Sequence, residues 1–594
     1  MGTARVNISG CKPHLRFLLG AAALAAPGIA YAQVAPELRP PTREEVTRPV
    51  EQPQVPQGPR LDVEGELERT PCALDSPDFA NIRFTLRGVE FEGLKGVNPA
   101  DLQPAYANMV GQDLAISSVC DIRDRAASIL REAGYIAAVQ IPEQRIEDGT
   151  VRLRVLLAHL TKIQVRGDAS GAESVIAAYV NRLTEQEVFN RFEAERYLLL
   201  SSDIPGYLVR LTLRPAGTAP GDVIGDVTVQ RTAAYADANI QNYGSRELGR
   251  WGGLIRGQAF GLTGFGDRTT LAYFTTADLK EQRTVQVGHD FRVGSEGLSF
   301  GGTFTYAWAD PSVDGADIEA RTLLATVQAD YPLIRSLSHT VRGTVGLDIA
   351  NQDVELDNID LTRDRLRVAF LRLGLDAAAT DFDNAAFNVT EPPWRVTGIA
   401  EVRKGLHILG ATRDCGPTGA DCSVFPSRLE GQSDATVLRG TFFGEYRPMP
   451  KLTFALNARA QYAGKPLLSF EEFSAGNYTA GRGYDPGALL GDRGFGSQLE
   501  LRYGSRIPTS AKRPAIEGFV FWDHSSVDNE DQPTDIDPSN HLNSVGGGAR
   551  VVFDRFTLDA AVAVPLTRVG FDDKKPDPRF LISLTSRLWP WSYE

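Results

Sequence analysis

After the first 32 positions no run of about 18 apolar residues occurs, which excludes a helical membrane protein. Net positive charge is missing as well: 62 Lys and Arg stand against 75 Asp and Glu, a formal charge of -13, so nucleic acid is excluded as a partner. Neither H-E-x-x-H nor G-x-S-x-G occurs, and His159, His289, His339, His407, His524 and His541 are scattered, so no enzyme is expected. The glycine-rich stretch "AGRGYDPGALLGDRG" (480–494) lacks the Lys-Ser/Thr pair that completes a phosphate loop. No cofactor is expected. C-x-x-C spacings are absent too, and with them the usual wrap around a zinc ion.

What is present begins with a charged start (Arg5, Lys12, Arg16), a short apolar segment and Ala30-Tyr31-Ala32, the layout of a cleaved secretory signal over residues 1–32. Four cysteines follow: Cys72, Cys120, Cys415 and Cys422. An even number in an exported chain predicts two disulfides. Cys415 and Cys422 bracket the turn-rich "GPTGAD" and close locally; Cys72 and Cys120 pair by elimination. Residues 33–80 are read as a linker segment, Pro-rich and polar up to about Arg60 and without a core, where a long plugging helix is not expected because interior prolines cost about 3 kcal/mol each.

Residues 81–226 mix strand and helix patterns. Ile82, Phe84 and Leu86 alternate; Val119, Ile122, Ala126, Ile129, Leu130 and Ala133 recur at helical spacing, with Ser118 and Asp121 as a capping box and Gly134 as the stop. The runs "AAVQIPEQ" and "TVRLRVLLA" flank a hairpin signal, and the layout recurs more loosely downstream, giving one α/β module over 81–159 and a second over 160–226.

From 227 to 594 the pattern becomes period-two alternation punctuated by Gly, Asp, Asn and Pro, in sixteen segments with one apolar and one polar face. A soluble sandwich also alternates. An exported chain with an even count favours a closed outer-membrane barrel, the first strand rising from a periplasm that holds the modules. Odd-to-even connections are then external, including the Cys415–Cys422 loop and the Arg482 loop. In "IEGFVFWDHSS", Glu517, Phe519, Phe521, Asp523 and Ser525 share a face that lipid does not tolerate, so it looks into the lumen and His524 away from it. A loop folded inward over 466–492 brings Arg482 to Asp523 as a bidentate pair, with Gly481 and Gly483 permitting a tight turn at the wall. A solvated loop charge is the alternative for Arg482.

These residues carry a resemblance. "RGY" (482–484) with "GDRG" (491–494), preceded by "LLSFEEFSAGN", is similar to the sixth-loop signature of two-partner secretion transporters of the outer-membrane protein 85 superfamily, the hemolysin secretion/activation proteins. "FWDHS" resembles that family's F-x-D-x-G strand motif, with Ser525 in the glycine's place. "GYIAAVQIPEQRIEDGTVRLRV" resembles a first polypeptide-transport-associated (POTRA) domain, "LLLSSDIPGYLVRLTLRPA" a second, and "NYGSRELGR" with "GLTGFGDRTTL" the first barrel strands. The resemblance spans about residues 80–590. It implies a transmembrane β-barrel of sixteen antiparallel strands behind two periplasmic POTRA domains, with Arg482, Gly483, Tyr484, Phe521 and Asp523 forming the loop–barrel contact. It further implies a large β-helical exoprotein as client, outer-membrane lipid around the barrel, barrel-assembly machinery during biogenesis and the Gram-negative outer membrane as location. An assembly factor of the same superfamily is the alternative, though such proteins usually carry more modules. The ending "WPWSYE" departs from the family's terminal Phe.

Overall fold

The computed structural model describes residues 40–47, 60–63, 72–313, 316–380, 387–388, 390–413, 415, 421–510, 512–531 and 540–590. The signal expected over 1–32 lies outside them. In the first module, strand Gly88–Glu92 runs parallel to Thr150–Leu157, which pairs antiparallel with Ala137–Gln140. Helix Ser118–Glu132 buries Val119, Ile122, Ala126 and Leu130 against Val151, Leu153 and Val155 of that sheet. Gly134 ends the helix at φ +90°, as expected. The expected capping box does not form: Ser118 lies inside the helix and its hydroxyl donates to the Ala115 carbonyl at 2.7 Å. The alternation at Ile82–Leu86 yields only the strand Arg83–Thr85, paired with Asp113–Ala115 beside the main sheet.

The second module packs helices Glu173–Thr184 and Arg191–Ser202 on a sheet ordered 60–63, 207–215, 222–231, 159–167. Val209, Leu211 and Leu213 point into its core with Ile176, Tyr179 and Leu198. The strand Asp222–Arg231 carries this sheet beyond the boundary read at 226, because its alternation is continuous with the barrel's.

Sixteen antiparallel strands then close into a barrel, from Ala234–Gln241 to Arg579–Trp589, which pair with each other. A two-residue piece, Ser312–Val313, lies in one external hairpin and is no further wall strand. Strand length is uneven. The first strand has 8 residues and the second and third 9 each, whereas the sixth (Ala316–Arg335) and eighth (Ile359–Ala378) have 20. The register links Val345, Leu371, Val402, Leu438 and Tyr462 into one outward apolar row across five strands.

The second module docks on the periplasmic turns. Asp203 accepts a two-pronged contact from Arg335 at 2.8 Å on both oxygens, and Phe260 of the second barrel strand belongs to the module's core. Gly171 and Gly261 approach so closely that a Cβ on Gly171 would lie 2.1 Å from the Gly261 carbonyl oxygen. Only glycine fits there.

Two pieces of the segment read as a Pro-rich linker, 33–80, are seated on other parts of the chain. Residues 40–47 sit inside the barrel, where Arg43–Thr47 form a short helix and Val46 is buried among Ala307, Leu324, Ala350 and Phe470. The prolines flank this stretch instead of interrupting it, and Thr42 with Glu45 makes a capping box: each side chain reaches the other's backbone N–H, at 3.2 and 2.9 Å. Residues 60–63 form the edge strand of the second module.

Candidate functional site

Between strand eleven (Leu452–Ala463) and strand twelve (Arg493–Gly504) the chain turns back into the lumen. A short hairpin, Phe473–Ala475 against Leu489–Gly491, stiffens the loop, and Phe473, Ala475 and Tyr484 bury themselves against Val527 and Leu542 of the wall. The tip carries Arg482. Gly481 holds φ +124°, and a Cβ on Gly483 would meet the Ser544 Cβ at 2.9 Å and the Pro565 nitrogen at 3.0 Å. Both glycines are therefore needed for the loop to lie on the wall.

Asp523, completely buried on strand thirteen (Ala515–Asp528), faces inward with Glu517, Phe519, Phe521 and Ser525, while Ile516, Val520 and Trp522 face lipid. Arg482 donates to both Asp523 oxygens, from Nε at 3.0 Å and Nη2 at 2.6 Å, and its backbone N–H adds a third bond at 2.9 Å. Its guanidinium lies 3.6 Å from the centre of the Phe521 ring, a cation–π contact. The Ser525 hydroxyl donates to the Ala480 carbonyl at 2.7 Å, so the serine standing where the family motif has glycine adds a tie to the loop. The Tyr484 hydroxyl contacts the Asn543 carbonyl at 2.8 Å and accepts from the Thr567 backbone at 3.0 Å. His524 stays on the outer side, bonded to Asn543 and stacked near Trp522.

Sequence reasoning missed the second carboxylate. Glu500 of strand twelve also pairs with Arg482, and with Arg502 at 2.6 Å and Arg550 at 3.1 Å. The signal was available: Glu500 lies on the polar face of "SQLELRY", and the register sets it opposite Phe521, two residues from Asp523. Arg550 extends the network to Glu517 at 3.2 Å and Asp559 at 2.9 Å. Other anchors of the loop carry no local signal, because their partners come from remote strands. Glu471 gathers Arg403 at 2.7 Å, Arg439 at 2.9 Å and, from the N-terminal helix, Arg43 at 2.7 Å. Arg428 holds Asp492 at 2.7 Å, Glu472 at 2.9 Å and Asp531 at 2.6 Å.

The four cysteines among the described residues lie in two places. Cys72 is bonded to Cys120, tying the turn Ala73–Asp75 to the first module's helix, and Cys415 to Cys422 in the external connection between strands nine and ten.

The family model for haemolysin secretion/activation protein ShlB/FhaC/HecB matches residues 226–551, more than half the chain, and that for the ShlB-type POTRA domain matches residues 84–157. The heme/hemopexin transporter protein HuxB of Haemophilus influenzae (strain 86-028NP) is 21% identical over 480 residues, covering 78% of this chain and 80% of its own. In fold, the barrel and modules are similar to CdiB from Escherichia coli, with TM-score 0.68, 15% identity and 88% and 92% of the two chains covered. CdiB from Acinetobacter baumannii gives TM-score 0.60 at 17% identity, with 85% and 90% covered. With a closed barrel, an inward loop and POTRA domains in place, the chain belongs to the haemolysin secretion/activation protein family ShlB/FhaC/HecB, the outer-membrane transporters of two-partner secretion.

Proposed function

We propose that this transporter takes its exoprotein from the periplasm as an extended chain, engages it on the POTRA modules by strand addition, and passes it through the lumen without any catalytic step. One observation carries the reading: a barrel wide enough for an aqueous channel is occupied by the 464–492 loop and residues 40–47, both tied to the wall by polar and ionic contacts as well as by a few buried apolar side chains. Side chains of the wall alone would make a permanent core, whereas polar-held segments can exchange their contacts for water and leave. The loop–barrel contact at Arg482, Gly483, Tyr484, Phe521 and Asp523 fixes the loop in the orientation that secretion needs. With no nucleotide in the scheme, folding of the client outside supplies direction. The client is large and β-helical, so that folding begins as its first turns emerge, and barrel-assembly machinery inserts the transporter itself. The test is deletion of this gene in its host beside an intact gene for the exported partner. Retention of the partner in the periplasm is expected; normal appearance of it in the medium overturns the reading.

A further inference from the structure

A cavity of about 330 Å³ lies in the lumen, bordered by Arg43 of the luminal segment and by Asp348, Arg372, Glu401, Arg403 and Arg439 of the wall. Every carboxylate oxygen on its border is already engaged. Asp348 accepts from Thr326 at 2.7 Å on one oxygen and from Arg43 and Arg403 at 3.1 and 2.8 Å on the other, and Glu401 accepts from Arg403 at 3.1 Å and Arg372 at 2.7 Å. Donors, by contrast, are in surplus. Arg43 spends its terminal nitrogens on Asp348 and Glu471, and its buried Nε has no partner among the described residues. Arg439 spends Nε on Gln461 at 2.7 Å and Nη2 on Glu471 at 2.9 Å, and Arg372 spends Nε and Nη2 on Glu401, so Nη1 of each has no partner among the described residues. Four guanidinium groups thus border the cavity against two carboxylates, with Glu471 as a third behind Arg403 and Arg439. Cationic donors left over where the acceptors are used up fit an anionic acceptor.

We propose that this cavity is an oxyanion subsite on the export path, and that it takes the carboxylate of an Asp or Glu side chain of the passing client. The inference rests on the transporter reading for the client's part. An extended chain in the lumen turns every second side chain, about 7 Å apart, towards the same wall. The cavity has room for one acidic side chain and its water, and not for a folded element. A carboxylate seated there receives charge-assisted bonds from Arg372 and Arg439, which are stronger than those that water makes with them. A Lys or Arg side chain at the same place meets guanidinium groups and finds no open acceptor. In a wet lumen the hold is weak and screened by salt, as passage requires: an acidic residue pauses and moves on.

The test needs no client. Thr303, on strand five (Leu298–Ala309), borders the cavity and is exposed to it, and the four cysteines after the signal are bonded in pairs, so in full-length Thr303→Cys protein the added thiol reacts alone. Its rates with sulfonatoethyl and trimethylammonioethyl methanethiosulfonate, each taken relative to a free thiol, compare an anion with a cation at one place. One unit of positive charge about 6 Å away in water shifts each rate about threefold in opposite directions, so the anionic reagent is expected to lead about tenfold. A ratio of one or less overturns the site. Adding Arg372→Gln and Arg439→Gln is expected to abolish the lead in protein that keeps its heat-modifiable gel mobility; a lead that survives overturns the part given to these two residues. The source of the anion is read by competition. The peptide Gly-Ser-Glu-Ser-Gly is expected to slow labelling at least threefold at a concentration where its Gln counterpart and sodium acetate do not. Equal slowing by the Gln peptide, or none by the Glu peptide, overturns carboxylate recognition, and equal slowing by acetate overturns the client's part in favour of a free-anion site. A wild type that secretes nothing refutes the transporter reading instead, and the labelling ratio still decides the subsite.

Discussion

At Arg482 the number of carboxylates decides what substitution does. Arg482→Ala leaves Asp523 buried without its cation, a loss on the order of 3 kcal/mol, or about a hundredfold in occupancy of the docked loop, and secretion is expected to collapse while the barrel stays folded. Asp523→Ala is expected to be milder, because Glu500 still holds Arg482, and the double variant little worse than Arg482→Ala, since both remove one shared contact. Secretion assays of the three variants, with heat-modifiable gel mobility as the measure of barrel folding, check this; fully additive defects would separate Arg482 from Asp523. Exchanging the two charges is expected to fail, as an aspartate at 482 would face Glu500. How much of the site was legible follows from where its partners sit. Asp523 could be read because strand alternation fixes its face and the F-x-D pattern marks it. Glu500 needed one further step, the pairing of strands twelve and thirteen. Glu471 and Arg403 lie far apart in sequence and meet only because the loop re-enters the barrel, which no local pattern encodes.

At the scale of elements, the two disulfides are expected to differ in consequence. Replacing Cys72 and Cys120 by serine removes a cross-link of sequence separation 48 and should destabilise the first module by about 2–5 kcal/mol, seen as earlier proteolysis of the POTRA region. Replacing Cys415 and Cys422, only 7 apart on an external connection, should leave the melting of the barrel unchanged. Deleting residues 40–47 is expected to raise single-channel conductance, since side chains of the wall then face water where Val46 and Arg43 now sit. An unchanged conductance would mean that the loop alone seals the lumen. The sixteen strands were legible because the alternation of each is fixed by lipid on one side and lumen on the other. The N-terminal helix was not: prolines stand on both sides of the capping box at Thr42 and Glu45, and an element this short depends on the burial of Val46 in the lumen more than on its own turns.

For the whole molecule the bilayer is the partner that touches most of the surface. Leu371, 62% exposed in the outward apolar row, is expected to cost about 2–4 kcal/mol when changed to Arg, measured by reversible unfolding in lipid vesicles, whereas its neighbour Arg372 already carries that charge inward at 2.7 Å from Glu401. A loss near zero would place that row outside the hydrocarbon. A wall whose strands grow from 8 residues at the closing seam to 20 on the far side meets a bilayer of uniform thickness unevenly. The far side overshoots, carrying charged pairs such as Arg321 with Glu355 out into water. Beside the seam, 8 residues tilted by about 45° span only about 20 Å, short of the usual band of about 25 Å. Acyl chains there must compress or the cylinder must lean, and either response is a hydrophobic mismatch concentrated on the first three strands. The membrane itself therefore presses on this short side of the wall, and a thinner bilayer relieves that pressure there.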